Sequence, residues 1–182
     1  MPLEWPARWR DCFNAGAHFL YPECCQFCEH HATPAEGYVC AHCWKEVRFI
    51  VPPFCERCGL PFAGDITTEF ECANCHEMEL HFSHARSAVV ARGGAMEAIQ
   101  RFKYNRARWF EPFLADLLVR AAGPELRAGG WDLIVPVPLH PAKLAEREFN
   151  QAERLARRLA DATDLELHAD LSQITFGQLH VQ

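Results

Sequence analysis

Along the second half of the chain, the spacing of apolar positions switches between helical and extended. Met96, Ile99 and Phe102 recur at three-residue steps, which predicts a helix over 95–104. Phe110, Phe113, Leu114, Leu117 and Leu118 mark one side of a second helix over about 108–122. Leu155 and Leu159 support a third, from Asn150 to about Ala162. Between the second and third, Trp131-Asp132-Leu133-Ile134-Val135 follows Gly129-Gly130 and reads as a core strand. Ala85 to Ala91 (ARSAVVA) reads as another strand, broken by Gly93-Gly94. Strands alternating with helices predict an α/β domain. At the front, Trp5, Trp9, Cys12, Phe13 and Leu20 suggest a short amphipathic helix over 1–20.

The run after Val135 breaks the pattern. Proline gives a sheet no N–H donor, so the strand must end near Val135. Pro136-Val137-Pro138 is then a stiff, extended exit, followed by a basic loop and the helix behind Phe149-Asn150-Gln151. In open α/β sheets, ligands bind at such exits.

Composition narrows the class. The chain has 182 residues, 49% of them hydrophobic, enough for one domain or a small module plus a medium one. No apolar run is long enough to span a membrane as a helix. The N-terminus sets arginines among tryptophans and lacks the apolar stretch of a secretory signal, so a cytoplasmic location is expected. Residues 1–84 carry 12 acidic against 5 basic side chains, while residues 85–182 carry 13 basic against 12 acidic. A net charge of −6 excludes a protein that coats nucleic acid over its whole surface but leaves room for a local basic strip.

The acidic half also holds the ten cysteines. Eight form Cys-x-x-Cys pairs: Cys25 and Cys28, Cys40 and Cys43, Cys55 and Cys58, Cys72 and Cys75; Cys12 and Cys24 are left over. Each turn of this kind places two sulfurs on one metal, and Gly59 in CERCG suits a tight knuckle. Two pairs complete a tetrahedral site, so four pairs imply two structural zinc ions. A disulfide framework would suit a secreted chain, and a redox Cys-x-x-Cys normally stands once, at a helix start. With all ligands sulfur, no position stays open for water or substrate. Sequential and cross-braced pairing both remain open. The interspersed histidines, His30, His31, His42, His76, His81 and His84, are expected at the surface.

The segment RFKYNRARWF (Arg101–Phe110) places four basic residues among four aromatics. Bases stack on such rings while cations hold the backbone, as in sequence-tolerant single-strand binding. A helix that buries its aromatics and lets its arginines snorkel outward gives the same composition.

Taken together, the four cysteine pairs, CERCGLPF, IQRFKYNR, DLIVPVPLH and REFNQAERLA resemble the ComF family of competence-associated proteins. The likeness runs from about Leu20 to Ala160 and implies a double zinc ribbon joined to a type I phosphoribosyltransferase-like domain. The expected boundaries are 1–20 for the N-terminal helix, 21–83 for the ribbon and 84–182 for a partial transferase-like domain. By the same resemblance, Arg147, Asn150 and Gln151 line or brace a pocket rim and Lys103 approaches from a hood. Arg101, Lys103, Tyr104, Arg106, Arg147, Asn150 and Gln151 are the candidate nucleic-acid or phosphate contacts.

Two departures qualify the resemblance. Glu148 stands where the family has glycine. No Asp-Asp-x-x-Thr-Thr-Gly stretch, the family's ribose and phosphate cradle, follows residue 150; Gly64-Asp65-Ile66-Thr67-Thr68 lies between ribbon cysteines and is expected to be a loop. The chain is therefore expected to be C-terminally truncated relative to the family, with no catalytic residues, and Mg2+ would matter only to a complete phosphoribosyl site. The resemblance implies an accessory role in DNA uptake, with single-stranded DNA and other competence or DNA-processing proteins as partners. A phosphoribosyltransferase lacking its phosphate-binding half and a zinc-ribbon protein-interaction module are the alternatives.

Overall fold

The computed structural model describes residues 24–30, 38–64 and 70–169. The helix expected over 1–20, Cys12, His31 and most of the Gly64–Thr68 loop lie outside them. The chain forms two compact units, residues 1–46 and 47–182.

The first unit is a cysteine knuckle followed by a short helix, α1 (Ala41–Lys45). The Cys25 amide donates to the His30 carbonyl, and the Gln26 amide donates to the Tyr38 carbonyl at 2.9 Å. The Glu29 amide returns to the Cys25 carbonyl at 2.9 Å, with Glu29 at φ +60°.

The second unit opens with the same device. The Cys55 amide donates to the Leu60 carbonyl at 2.9 Å, Glu56 to Phe70 at 3.1 Å and Gly59 to Cys55 at 2.8 Å. A second short helix, α2 (Ala73–Glu77), follows Cys72 as α1 follows Cys40. Gly59 takes the left-handed position at φ +70°, and a Cβ there would stand 2.6 Å from the Ala85 carbonyl oxygen. Here glycine is required both by backbone sign and by space.

Beyond the knuckle the structure departs from the expected strand over 85–91. Only Phe49 and Val89 form an antiparallel bridge, flanked by hydrogen bonds from Ile50 to Ala88 and from Val90 to Arg48. The pairing stops because its partner segment runs directly into Pro52-Pro53, where no amide hydrogen is available.

Three helices carry the core: α3 (Gly93–Tyr104), α4 (Glu111–Arg127), entered through a 3-10 turn at Arg108–Phe110, and, further on, α6 (Gln151–Thr163). Gly93-Gly94 begins α3, with Gly93 at φ +52°. Helix α4 runs past the expected end near residue 122: Pro124 lies on its exposed side, and the Ala128 amide closes back on the Pro124 and Glu125 carbonyls. Phe102 and Phe110 are fully buried, joined by Phe113, Leu114, Leu117, Phe149, Ala156 and Leu159.

The core strand is shorter than its apolar run suggests. β1 (Leu133–Ile134) pairs in parallel with β2 (Glu166–Leu167), Leu133 opposite Glu166 and Ile134 opposite Leu167. The connection from β1 passes through the prolines into α5 (Pro141–Arg147) and then α6. The expected basic loop is thus a helix. His140 caps it by accepting the Ala142 amide at 3.2 Å, and Pro141 supplies a helix-ready φ at its first position.

Candidate metal centres and basic-aromatic face

The eight paired cysteines gather into two tetrads, Cys25, Cys28, Cys40 and Cys43, and Cys55, Cys58, Cys72 and Cys75, each with its sulfurs within 4.8 Å of one another. Pairing is sequential. Cys28 and Cys40 sulfurs stand 3.7 Å apart, Cys58 and Cys72 3.7 Å, and Cys55 and Cys75 3.8 Å. A disulfide would need about 2.0 Å. Sulfurs held about 2.3 Å from a central zinc at tetrahedral angles stand about 3.8 Å apart. The tetrads fit two structural zinc ions, and all-sulfur ligation leaves neither a free coordination position.

Backbone donors prepare the sulfurs for metal. The Cys40 amide donates to Cys25 Sγ at 3.4 Å, and the Cys72 amide donates to Cys55 Sγ at 3.3 Å. Burial pushes the Cys25 thiol up, but the amides of Cys40, Cys28 and Phe27 outweigh it and bring the pKa down to about 6. At Cys55 the Cys58 amide leads, with Cys72 and Arg57 adding to it against burial, and the pKa again falls to about 6. Cys43 and Cys75 are pushed up by burial and by the neighbouring thiols. Each tetrad thus has one readily ionised sulfur and at least one that needs the cation.

No histidine joins either tetrad among the described residues. His30, His42, His76 and His81 are exposed, as the sequence suggests. His84 instead lies 3.3 Å from Glu125 and meets Trp131 edge to face at 5.6 Å.

A second constellation joins the two motifs RFKYNR and REFNQ. Phe102 packs on Phe149 with ring centres 5.3 Å apart, and the Arg108 guanidinium covers Phe149 at 5.0 Å. Arg147 lies 5.0 Å from the Tyr104 ring centre and donates to Gln151 Oε1 at 3.1 Å. Gln151, buried, donates to the Lys103 carbonyl at 3.5 Å. Asn150 caps α6 through the Ala152 and Glu153 amides and donates to the Val137 carbonyl at 3.1 Å. That last bond ties the proline exit to the helix start.

RFKYNRARWF is divided between both of its expected uses. Phe102 and Phe110 are core, whereas Tyr104 is 65% exposed and Trp109 41%. Arg101 is paired with Glu97 at 3.2 Å and lies over Phe110 at 5.0 Å. Lys103, Tyr104, Arg106, Arg147, Asn150 and Gln151 come together around the end of α3 and the α5–α6 junction. Phe149 was not singled out by sequence reasoning, although it lies inside REFNQ; an apolar residue between one helix's C-cap, Glu148, and the next helix's N-cap, Asn150, gave no sign of which ring it would meet. Glu111 was also missed: it is 5% exposed and takes both Arg154 and Arg158 of α6.

Comparison with known proteins agrees with the metal centres. The family model of the double zinc ribbon domain matches residues 16–77, a span containing both tetrads. The chain is 29% identical over 150 residues to "Competence protein F" of Haemophilus influenzae, covering 78% of this chain and 61% of that protein. No solved structure matches. The ribbon in front, and a likeness to Competence protein F that continues through most of the chain, agree with the resemblance to the ComF family.

Proposed function

We propose that this protein is an accessory factor of competence that handles incoming single-stranded DNA in the cytoplasm, with its zinc ribbons serving as docking modules for other DNA-processing proteins. One observation carries the reading: Tyr104 is 65% exposed and backed by the Arg147 guanidinium, beside the exposed Lys103. A ring held from one side by a cation offers its other face for base stacking, while neighbouring cations meet the phosphates. Lys103, Tyr104 and Arg147 are the contacts in this reading, and Asn150 and Gln151 brace them. The likeness to a competence protein supports the biological setting.

The test is fluorescence anisotropy with labelled oligo-dT across a salt series. Binding should weaken with salt, and Lys103→Ala with Tyr104→Ala should weaken it about tenfold or more. Equal binding by the double variant would refute the reading.

The parallel pair β1 and β2, linked through helices and left by the stiff Pro136-Val137-Pro138 exit, supports a second reading of residues 84–182 as part of a phosphoribosyltransferase-like domain. Release of pyrophosphate from 5-phosphoribosyl pyrophosphate by the full chain would convert that domain reading into an enzymatic one.

A further inference from the structure

Two residues on the basic-aromatic face hold left-handed backbone, Arg106 at φ +54° and Glu148 at φ +68°. Arg106 leaves α3 and Glu148 caps α5, so the two motif loops turn sharply where they meet. Their side chains join across that meeting point: Arg106 Nη1 lies 2.9 Å from Glu148 Oε1. Arg106 Nη2 also donates to the Glu146 carbonyl at 3.4 Å. The neighbouring Lys143 is likewise engaged, 2.7 Å from the Glu146 carboxylate. The hydrogen bond from Lys143 and its charge hold that carboxyl below the usual range.

Arg106, on the turn that leaves α3 just after Tyr104, is thus met by a carboxylate of the chain itself. The Arg106–Glu148 pair is open to water, with the side chains 59% and 57% exposed, and such pairs are weak. A weak, exposed pair exchanges readily when a polyanion presents several phosphates at once. Glu148 also follows Arg147 directly, so its carboxylate is carried on the same turn as the guanidinium that backs Tyr104.

We propose that Glu148 is a built-in phosphate mimic that occupies Arg106 until a nucleic-acid phosphate displaces it, and so sets the affinity and salt response of this face. The inference rests on the single-strand reading above and adds its regulation. Displacement is an exchange of ion pairs: Arg106 trades the carboxylate for a phosphate oxygen, and Glu148 turns to water.

The experiment is a double-mutant cycle on the full chain with labelled oligo-dT, comparing wild type, Glu148→Gln, Arg106→Ala and the double variant between about 50 and 200 mM salt. Glu148→Gln should tighten binding severalfold and add about one to the magnitude of the salt slope, as one more phosphate contact becomes available. Arg106→Ala should then weaken binding severalfold more in the Glu148→Gln background than in wild type. Equal losses in both backgrounds would mean that Glu148 acts only as a general negative charge, and the proposal fails. Unchanged affinity in Glu148→Gln, with wild type still binding, sinks the mimic and spares the single-strand reading. Binding only after Glu148→Gln supports a fully closed mimic, whereas no binding by any of the four overturns both readings.

Discussion

Arg158 Nε stands 3.0 Å from Glu111 Oε1, across the packed faces of α6 and α4. Arg154 takes the other carboxylate oxygen, so one buried acid at the start of α4 holds two arginines one helical turn apart. The acid also sits where the α4 amide dipoles favour negative charge.

Removing that charge should loosen the helical core. Glu111→Gln is expected to cost about 1–3 kcal/mol in urea unfolding, less than a fully buried pair because both arginines reach solvent. Combined with Arg158→Ala, the loss should be smaller than the sum of the two.

Metal analysis checks the tetrads. The purified chain should carry two zinc ions, and Cys55→Ser should leave one, because the tetrads share no ligand. Loss of both ions from this single change would contradict sequential pairing.

Acid should release the metal. Cys25 and Cys55 fall from the ordinary 9.0 to about 6, so the folded state binds their protons less tightly than the unfolded state. The stabilisation from this difference is complete above pH 9, shrinks as pH falls and is gone below about 6. Zinc competes with protons for the same sulfurs and so delays release. A chromophoric zinc indicator should report full retention at pH ~7 and progressive loss below pH ~6; full retention down to pH ~4 would contradict this account.

The cap at Asn150 separates two jobs. Asn150→Ala should cost about 1–2 kcal/mol, since it removes the acceptor for the Ala152 and Glu153 amides. Asn150→Asp keeps that acceptor and loses only the donor to Val137, so it should recover most of the stability while freeing the proline exit. Thermal melts of the two variants, with proteolysis near Pro138, distinguish these effects.

The two knuckles differ at one matching position. Gly59→Ala should damage the second, because its Cβ meets the Ala85 carbonyl. Glu29 holds the same left-handed place in the first, and Glu29→Gly should raise stability by about 0.5–1 kcal/mol. Melting curves of the zinc-loaded variants give both signs.

Much of this was legible from local chemistry. Cysteine spacing implied the metal sites because a Cys-x-x-Cys turn brings its two sulfurs together without help from distant residues. Periodicity located α3, α4 and α6, and Asn150 marked a helix start by its own side-chain chemistry. Periodicity failed at 85–91 and 131–135, where a strand's length is decided by its partner. Both partners are short, one cut off by Pro52-Pro53 and the other only two residues long. It failed at 141–147 too, because that helix buries none of its residues and so leaves no apolar stripe.

By itself the sequence determined the sulfur pairs, the main helices and the place where the proline exit breaks the strand, each a property of neighbouring residues. Only the tertiary structure decided that the first tetrad is built sequentially, that Glu111 serves two arginines, and that Tyr104, Arg106, Arg147 and Glu148 meet. The contacts among Tyr104, Arg106, Arg147 and Glu148 join residues about forty positions apart, and the packing of Phe102 on Phe149 helps bring their loops together.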